Sequence, residues 1–335
     1  MRELILGNTR RSSAVRSTFV LVLVTVALLL SFASFGRYTI TITTTLLLFM
    51  AAASAFNIIG GVAGQFSLAS SAMIGVGSYI TVMMLRGVET PLPVILVAAG
   101  LGGAVFAAAV GLILFRLRGF YFTIGTLAVA LGAMTWMTTW EFTGATTGIS
   151  APLALIPDGK TQFLLALTIA VLAIGASIAI INSSFGLRLM AVRDDEDIAD
   201  SLGVPPFRMK MLAIMISGAI TAVAGGLFAV QKSSVEPFSS FALTWSITII
   251  VMAIVGGLGS TWGPALGAIV IYYGVTVQLE SLPALGSLLA GALLILVIRF
   301  LPGGLVGALG SLYHFVIGRL VKRPANAEAS DPVSH

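Results

Sequence analysis

Between Tyr38 and Leu85 the chain carries no Asp, Glu, Lys or Arg, and a second run without them extends from Pro237 to Leu279. Each run has room for two stretches of about twenty apolar residues, the length of a helix that crosses the hydrocarbon core of a bilayer. The rest of the chain follows suit. Hydrophobic residues make up 58% of the 335 positions and charged residues 9%, where a soluble domain carries about a quarter charged residues to face water. A water-facing surface of ordinary size cannot be covered from this supply, so lipid is the main solvent. The 37 glycines agree, since glycine lets membrane helices approach closely.

Apolar stretches bounded by charges, proline or glycine define ten candidate spans, at 18–35, 38–59, 67–85, 91–115, 120–140, 161–181, 211–231, 241–256, 264–280 and 284–300. The expected fold is an all-α polytopic membrane protein of about ten transmembrane helices. The eighth and ninth spans are short, which leaves room for tilted, broken or re-entrant segments. The apolar run from Thr18 to Phe35 follows Arg2, Arg10, Arg11 and Arg16, a signal-peptide-like arrangement. It is long enough to span, and Ser31-Phe32-Ala33 is only a passable cleavage site, so it reads as a retained first helix.

Basic residues orient the spans. With the N-terminus in the cytoplasm and strict alternation, fourteen lie in cytoplasmic segments. Only Arg37, Arg86, Lys160 and Lys232 lie outside. Both termini are then expected in the cytoplasm. The net charge of +5 is an orientation signal, and no nucleic-acid partner follows from it. The expected organisation is a basic N-terminus (1–17), a transmembrane domain (18–307) with a cytoplasmic loop at 182–210, and a cytoplasmic tail (308–335).

Chemistry is sparse. The chain has no cysteine, and its two histidines, His314 and His335, build no cluster. No catalytic or metal site is expected, and a membrane enzyme would need a clustered acid, base or metal site that the sequence does not display. Proton- or voltage-coupled transport needs ionisable groups inside the membrane. Glu141, Glu280 and Arg299 sit instead at span ends, where interfacial anchoring explains them. A self-sufficient sodium-coupled secondary transporter, using backbone carbonyls and hydroxyls, remains the alternative to a permease driven by partners. Ala154-Leu155-Ile156-Pro157-Asp158-Gly159-Lys160-Thr161 approximates a nucleotide-binding loop, but its first glycine is Ala154 and Pro157 interrupts it. The topology also puts it outside, so it reads as a chance match.

The cytoplasmic loop holds a short helix. Asp194-Asp195-Glu196-Asp197 favours a helix N-terminus, with Asp194 as the N-cap. Gly203 is placed as a C′ residue before Pro205-Pro206. Two to three turns are expected, with Ile198 and Leu202 forming an apolar ridge at i, i+4. A solvated loop helix and a helix that docks into a partner's groove fit this pattern equally. Ile58-Ile59-Gly60-Gly61-Val62 and Ile254-Val255-Gly256-Gly257-Leu258 share a pattern, which the abundance of glycine makes a coincidence on sequence grounds.

Taken together, several segments resemble one family. Gly186-Leu187-Arg188-Leu189-Met190-Ala191-Val192-Arg193 with the acidic helix through Val204 is similar to the cytoplasmic coupling loop of ABC-importer permeases of the branched-chain amino acid (LivM) type. Gly64-Gln65-Phe66-Ser67-Leu68 resembles that family's early motif. Tyr121–Ala128 with Thr143–Ile149 resembles its central motifs, and Gly256–Pro264 with Phe300–Leu305 its closing ones. The match runs in order over most of the chain. It departs at Ala145 and Thr146-Thr147, where the family usually has a second glycine and often Asn or Asp.

The resemblance implies a multi-pass permease of the bacterial cytoplasmic (inner) membrane, moving branched-chain amino acids or a related small solute such as urea or short amides. It also implies a second related permease subunit, two cytoplasmic ATPase subunits and an extracytoplasmic substrate-binding protein. ATP and Mg would be bound on the ATPases, with no cofactor in this chain. Glu196, Ala199 and Gly203 are then the candidates for ATPase coupling. Gln65, Ser67, Thr126 and Thr146 are candidates for the substrate path, with helix–helix hydrogen bonding as the plainer role for each. Gly60, Gly61, Gly256 and Gly257 are hinge or packing candidates.

Overall fold

The computed structural model describes residues 15, 17–29, 36–87 and 90–278 and, towards the C-terminus, 288–289, 291–292, 295–296, 299 and 303–307. Glu280, both histidines, most of the tenth expected span, the N-terminus to residue 14 and the tail from 308 lie outside the described residues.

Helix α1 (Ser17–Leu29) is short and apolar. Helix α2 (Arg37–Phe56) runs into a π-helical turn, Asn57–Val62. Helices α3 (Ser70–Gly87), α4 (Leu92–Leu114), α5 (Phe120–Thr139) and α6 (Gly159–Asn182) follow. The 182–210 loop folds into α7 (Ser184–Asp194) and α8 (Glu196–Ser201). Helix α9 (Pro206–Lys232) then crosses back. The eighth expected span is bent, with α10 (Pro237–Ser240) and α11 (Leu243–Gly256) separated at Phe241-Ala242. The ninth is α12 (Gly263–Ala268), which continues as a π-helix over Ile269–Val277. Among the described residues, six helices are long and apolar enough to cross a membrane by length and composition.

Several hydroxyls within the spans are absorbed locally. The hydroxyls of Thr41, Thr44 and Thr45 each donate to the carbonyl four residues back, at 2.7–3.2 Å, which removes the cost of a bare hydroxyl in lipid. The fold is organised around α9, which packs against α3 and α4. Its facing residues Gly218, Ala222 and Gly225 recur at helical spacing, and the backbones come nearly into contact. A Cβ at Gly77 would overlap the Ala222 carbonyl, and one at Gly225 would overlap Ile74. Ser78 Oγ also donates to the Gly225 carbonyl at 2.9 Å. Lipid supplies no hydrophobic drive between helices, so this close dispersion contact with a few interhelical hydrogen bonds is what holds the helices together. Gly77→Leu is therefore expected to cost about 3 kcal/mol or more, read as a lower melting temperature in detergent. Gly87→Leu is the control, because a Cβ at Gly87 meets nothing within 4 Å.

A second cluster joins four helices. Phe49, Phe228, Trp245 and Tyr272 stack with ring centroids 4.8–5.6 Å apart, and Lys232 Nζ lies over Trp245 at 5.3 Å. At that same end a two-residue antiparallel pairing, Ile149 with Val235, ties the 140–158 loop to the α9–α10 connection. The segment resembling a nucleotide-binding loop lies here too, and its Thr161 hydroxyl is bonded to Asp158 at 2.5 Å. The opposite end carries α7, α8, the α4–α5 turn and the ends of α2 and α11. Between Arg37 and Gln278, Arg116, Arg118, Arg188, Arg193, Arg208 and Lys210 sit at that end, while Arg37, Arg86, Lys160 and Lys232 sit at the other.

Candidate functional site at the paired helix breaks

At the end that carries α7 and α8, two helix ends and the breaks that follow them face each other. After its π-turn, α2 gives way to an irregular segment at 63–69, and α11 gives way to another at 257–262. The fully buried Asn57 joins them. Its Nδ2 donates to the Ser260 carbonyl at 2.9 Å, and its Oδ1 accepts from the Gly259 N–H at 2.7 Å. One primary amide thus satisfies a donor and an acceptor that the break leaves without a helical partner. The approach requires glycine. A Cβ at Gly61 would lie 2.5 Å from the Gly259 nitrogen, and Gly257 holds φ +118°. Of the two glycine pairs, Gly61 meets Gly259, two residues past the second pair, while Gly256 packs on Gly263 and Gly267. Gly304 packs on Gly257 as well, where a Cβ would come within 2.5 Å.

The first break is clamped from both sides. On α5, Thr126 Oγ1 accepts from the Leu68 N–H at 2.9 Å, and Thr123 Oγ1 donates to the Phe66 carbonyl at 2.9 Å. On α11, Ser246 Oγ accepts from the Ser71 N–H at 2.8 Å and donates to the Leu68 carbonyl at 2.7 Å. Ser67 Oγ accepts from the Ala69 N–H at 3.2 Å, closing a turn just before α3. Gln65, Ser67 and Thr126 are therefore gathered around one segment, all buried. Thr146 is not among them. It is exposed in the 140–158 loop at the other end. Beside it Ala145 holds φ +46°, a left-handed conformation that favours glycine, at the position where the family pattern carries a second glycine.

The cytoplasmic loop reaches this site. Ser183 caps α7, its hydroxyl accepting from the Gly186 N–H at 3.2 Å. At the far end of α7, Arg193 Nη1 donates to the Gly61 carbonyl at 2.9 Å. Its guanidinium is also bonded to Asp194 at 3.2 and 3.3 Å. With Asp194 engaged by Arg193, the N-cap of α8 is Asp195, one residue later than the sequence predicts. Its carboxylate accepts from the Asp197 and Ile198 N–H groups at 3.0 and 2.9 Å. Gly203, at φ +81°, is the expected C′ residue. The Gly203 N–H bonds the Asp200 carbonyl at 2.9 Å and the Val204 N–H bonds the Ala199 carbonyl at 3.0 Å, a complete Schellman stop. Six residues lie between the caps, under two turns rather than the expected two to three, because both ends are stopped by their own side chains and glycine.

Helix α8 presents two faces. Glu196 pairs with Lys210, which lies near the Phe115 ring. Ala199 is only 1% exposed, so both residues are turned toward the chain's own body. Asp197 pairs with Arg118 at 3.0 Å and raises the pKa of that guanidinium through the hydrogen bond. A groove of about 470 Å³ lies between α8 and the end of α4, lined by Phe115, Arg118, Asp197 and Phe207 among others. The outward side chains are Ile198, 59% exposed, and Leu202, 77% exposed.

Asn57, Ser246 and Arg193 escape the sequence reading. Asn57 had a signal, since an amide inside a charge-free run needs a partner. Ser246 had none, being one hydroxyl among many in the spans.

These features define a polytopic helical membrane protein in which two connections between helices meet next to a structured loop, an arrangement suited to a transport permease. The chain belongs to the family described as branched-chain amino acid transport system / permease component, which matches residues 38–298; it is an ABC-importer permease of this type. The high-affinity branched-chain amino acid transport system permease protein LivM of Escherichia coli (strain K12) is 26% identical over 305 residues, covering 81% of this chain and 70% of that protein. The corresponding LivH of Salmonella typhimurium is 26% identical over 286 residues, covering 75% of this chain and 89% of that protein. A probable LivM of Methanocaldococcus jannaschii is 25% identical over a shorter stretch, 38% of this chain and 41% of that protein. No solved structure matches the chain.

Proposed function

We propose that this chain is the membrane-spanning permease subunit of an ATP-driven importer in the bacterial cytoplasmic membrane. In this reading it pairs with a second, related permease. Two cytoplasmic ATPases bind and hydrolyse ATP with Mg, and an external binding protein delivers leucine, isoleucine, valine or a related small solute. The observation that carries the reading is α8. It is capped at both ends, braced by the Glu196–Lys210 pair and seated on Ala199, and it still turns Ile198 and Leu202 outward. A solvated loop helix has no use for two exposed apolar residues at i, i+4, whereas a partner's groove does. Glu196, Ala199 and Gly203 serve docking by setting the pose of α8, and Ile198 and Leu202 make the contact. Nucleotide-driven closure of the ATPases would then bias a two-state gate as a rigid-body movement. Gln65, Ser67 and Thr126 shape the path by holding the 64–69 segment, and Thr146 is available to the binding protein outside.

The test is a tagged pull-down from native membranes in mild detergent, with partners identified by mass spectrometry. Gly203→Pro is run beside the wild type. Proline holds φ near −65° where Gly203 holds +81°, so the Schellman stop cannot form and α8 loses its pose. Recovery of two ATPases and a second permease, reduced at least tenfold in the variant, supports the importer. A chain that purifies alone in both cases returns the sodium-coupled secondary transporter to first place.

A further inference from the structure

We infer that Arg193 is the positioning residue that transmits movement of the cytoplasmic loop to the two helix breaks. The inference rests on the importer reading and concerns how its gate is driven. Arg193 lies at the end of α7, three residues before α8 begins. Its Nη1 donates to the Gly61 carbonyl at 2.9 Å, in the same turn that carries Asn57. Its aliphatic stem fills the space left by Gly64, where a Cβ would come within 3.1 Å of Arg193 Cδ and closer still to Cγ. Nη1 also lies 3.6 Å from the Cβ position of Gly259 in the second break. One side chain therefore bonds the first break and lies beside the second, and Asn57 joins the two.

The geometry is that of a lever with a fixed angle. Asp194 bonds Nε and Nη2 of the guanidinium, which leaves Nη1 aimed at Gly61. With Nε and Nη2 both on one Asp194 oxygen, the guanidinium is turned so that Nη1 follows the α7–α8 junction. Displacement of α8 by a partner moves that junction, and with it the Gly61 carbonyl. Helix α8 has two other routes to the body. Glu196–Lys210 leads to the start of α9, and Asp197–Arg118 leads to the α4–α5 turn, so it reaches the first break only through α5, whereas Arg193 bonds that break directly. The glycine at 64 is explained by the same contact. Its φ of +71° suits glycine, and its missing side chain is the seat for the arginine stem.

The experiment uses the complete complex in nanodiscs. The chain has no native cysteine, so Thr261→Cys, on the second break, gives a single reporter in this subunit. Thiol modification of its peptide is timed by mass spectrometry with and without Mg·ATP, alongside co-purification of the ATPases and the rate of ATP hydrolysis. With native Arg193, Mg·ATP is expected to change the labelling rate at least fivefold. With Arg193→Ala the ATPases still co-purify and ATP is still hydrolysed, but that change falls below twofold. Arg193→Lys, which keeps one donor and loses the braced plane, is expected to lie between. Gly64→Ala, which displaces the stem and leaves the guanidinium intact, is expected to reproduce the alanine result. Three results overturn the inference: a nucleotide effect that persists in Arg193→Ala, no nucleotide effect with native Arg193, or an alanine variant that loses its partners and so marks Arg193 as structural only. Absence of ATPases from the complex with native Arg193 overturns the importer reading itself, and this inference with it.

Discussion

Asn57→Leu is expected to be the most damaging single substitution in the described part of the chain. The leucine removes a donor to the Ser260 carbonyl and an acceptor for the Gly259 N–H, leaving both half-buried groups without that partner. A fully buried group left unpaired costs about 1–3 kcal/mol, so the loss for the two is at most about 2–6 kcal/mol. Hydrogen bonds between side chains of membrane helices average well under 1 kcal/mol, because the separated helices find other partners. That discount is weak here. The two orphaned groups are backbone groups of a non-helical segment, which has no ladder of its own to fall back on. Leucine has the same branching, so its two methyl groups would take the places of Oδ1 and Nδ2, 2.7–2.9 Å from the Gly259 nitrogen and the Ser260 oxygen, which is too close for carbon. The measurement is the melting temperature of the purified protein, with protease sensitivity of the 257–262 segment as the local readout. Asn57→Asp is the sharper control. It keeps the acceptor for Gly259 and replaces the donor with a carboxylate facing a carbonyl, so it should destabilise with little change in volume. A melting temperature within 2 °C of wild type in both variants would show that the breaks are held together by something other than this amide.

The second large effect is expected outside the membrane. The double substitution Ile198→Asp with Leu202→Asp should lower recovery of the ATPase subunits by tenfold or more while leaving the melting temperature of this chain nearly unchanged. Both side chains are mostly exposed, so the isolated subunit loses little. A groove that buries them gains about 1.5–3 kcal/mol for each, and each 1.4 kcal/mol is tenfold in affinity. Unpaired carboxylates in that groove would add a desolvation penalty. The comparison that decides is with Glu196→Gln. This change weakens the pairing with Lys210 and loosens the pose of α8 without altering the outward ridge, so a smaller loss is expected. Equal recovery of partners by the double variant and the wild type would rule out α8 as the docking element.

Much of this protein is legible without coordinates. Apolar runs of spanning length have one stable solution in lipid, so the helices and most of their limits follow from hydropathy alone. The asymmetry of Arg and Lys assigns the loop from Asn182 to Lys210 to the cytoplasm. Local stereochemistry places Gly203 at the helix stop, because only glycine takes its backbone conformation without strain. The i, i+4 spacing of Ile198 and Leu202 identifies the outward ridge. Each of these depends on a few residues or on a fixed period.

The tertiary structure decides everything that depends on which residues meet. The sequence reading puts the cap at Asp194, and the cap falls to Asp195 because Arg193 engages Asp194. Glu196 and Ala199 face inward because Lys210 and the body of the chain lie there. The glycine pairs at 60–61 and 256–257 are ordinary in a glycine-rich chain until the fold sets Gly61 against Gly259. Hydropathy and period carry no information about such contacts. They arise between positions some two hundred residues apart, and they are selected by the close packing of backbones around α9 and by the need to satisfy every polar group where a helix is interrupted in lipid.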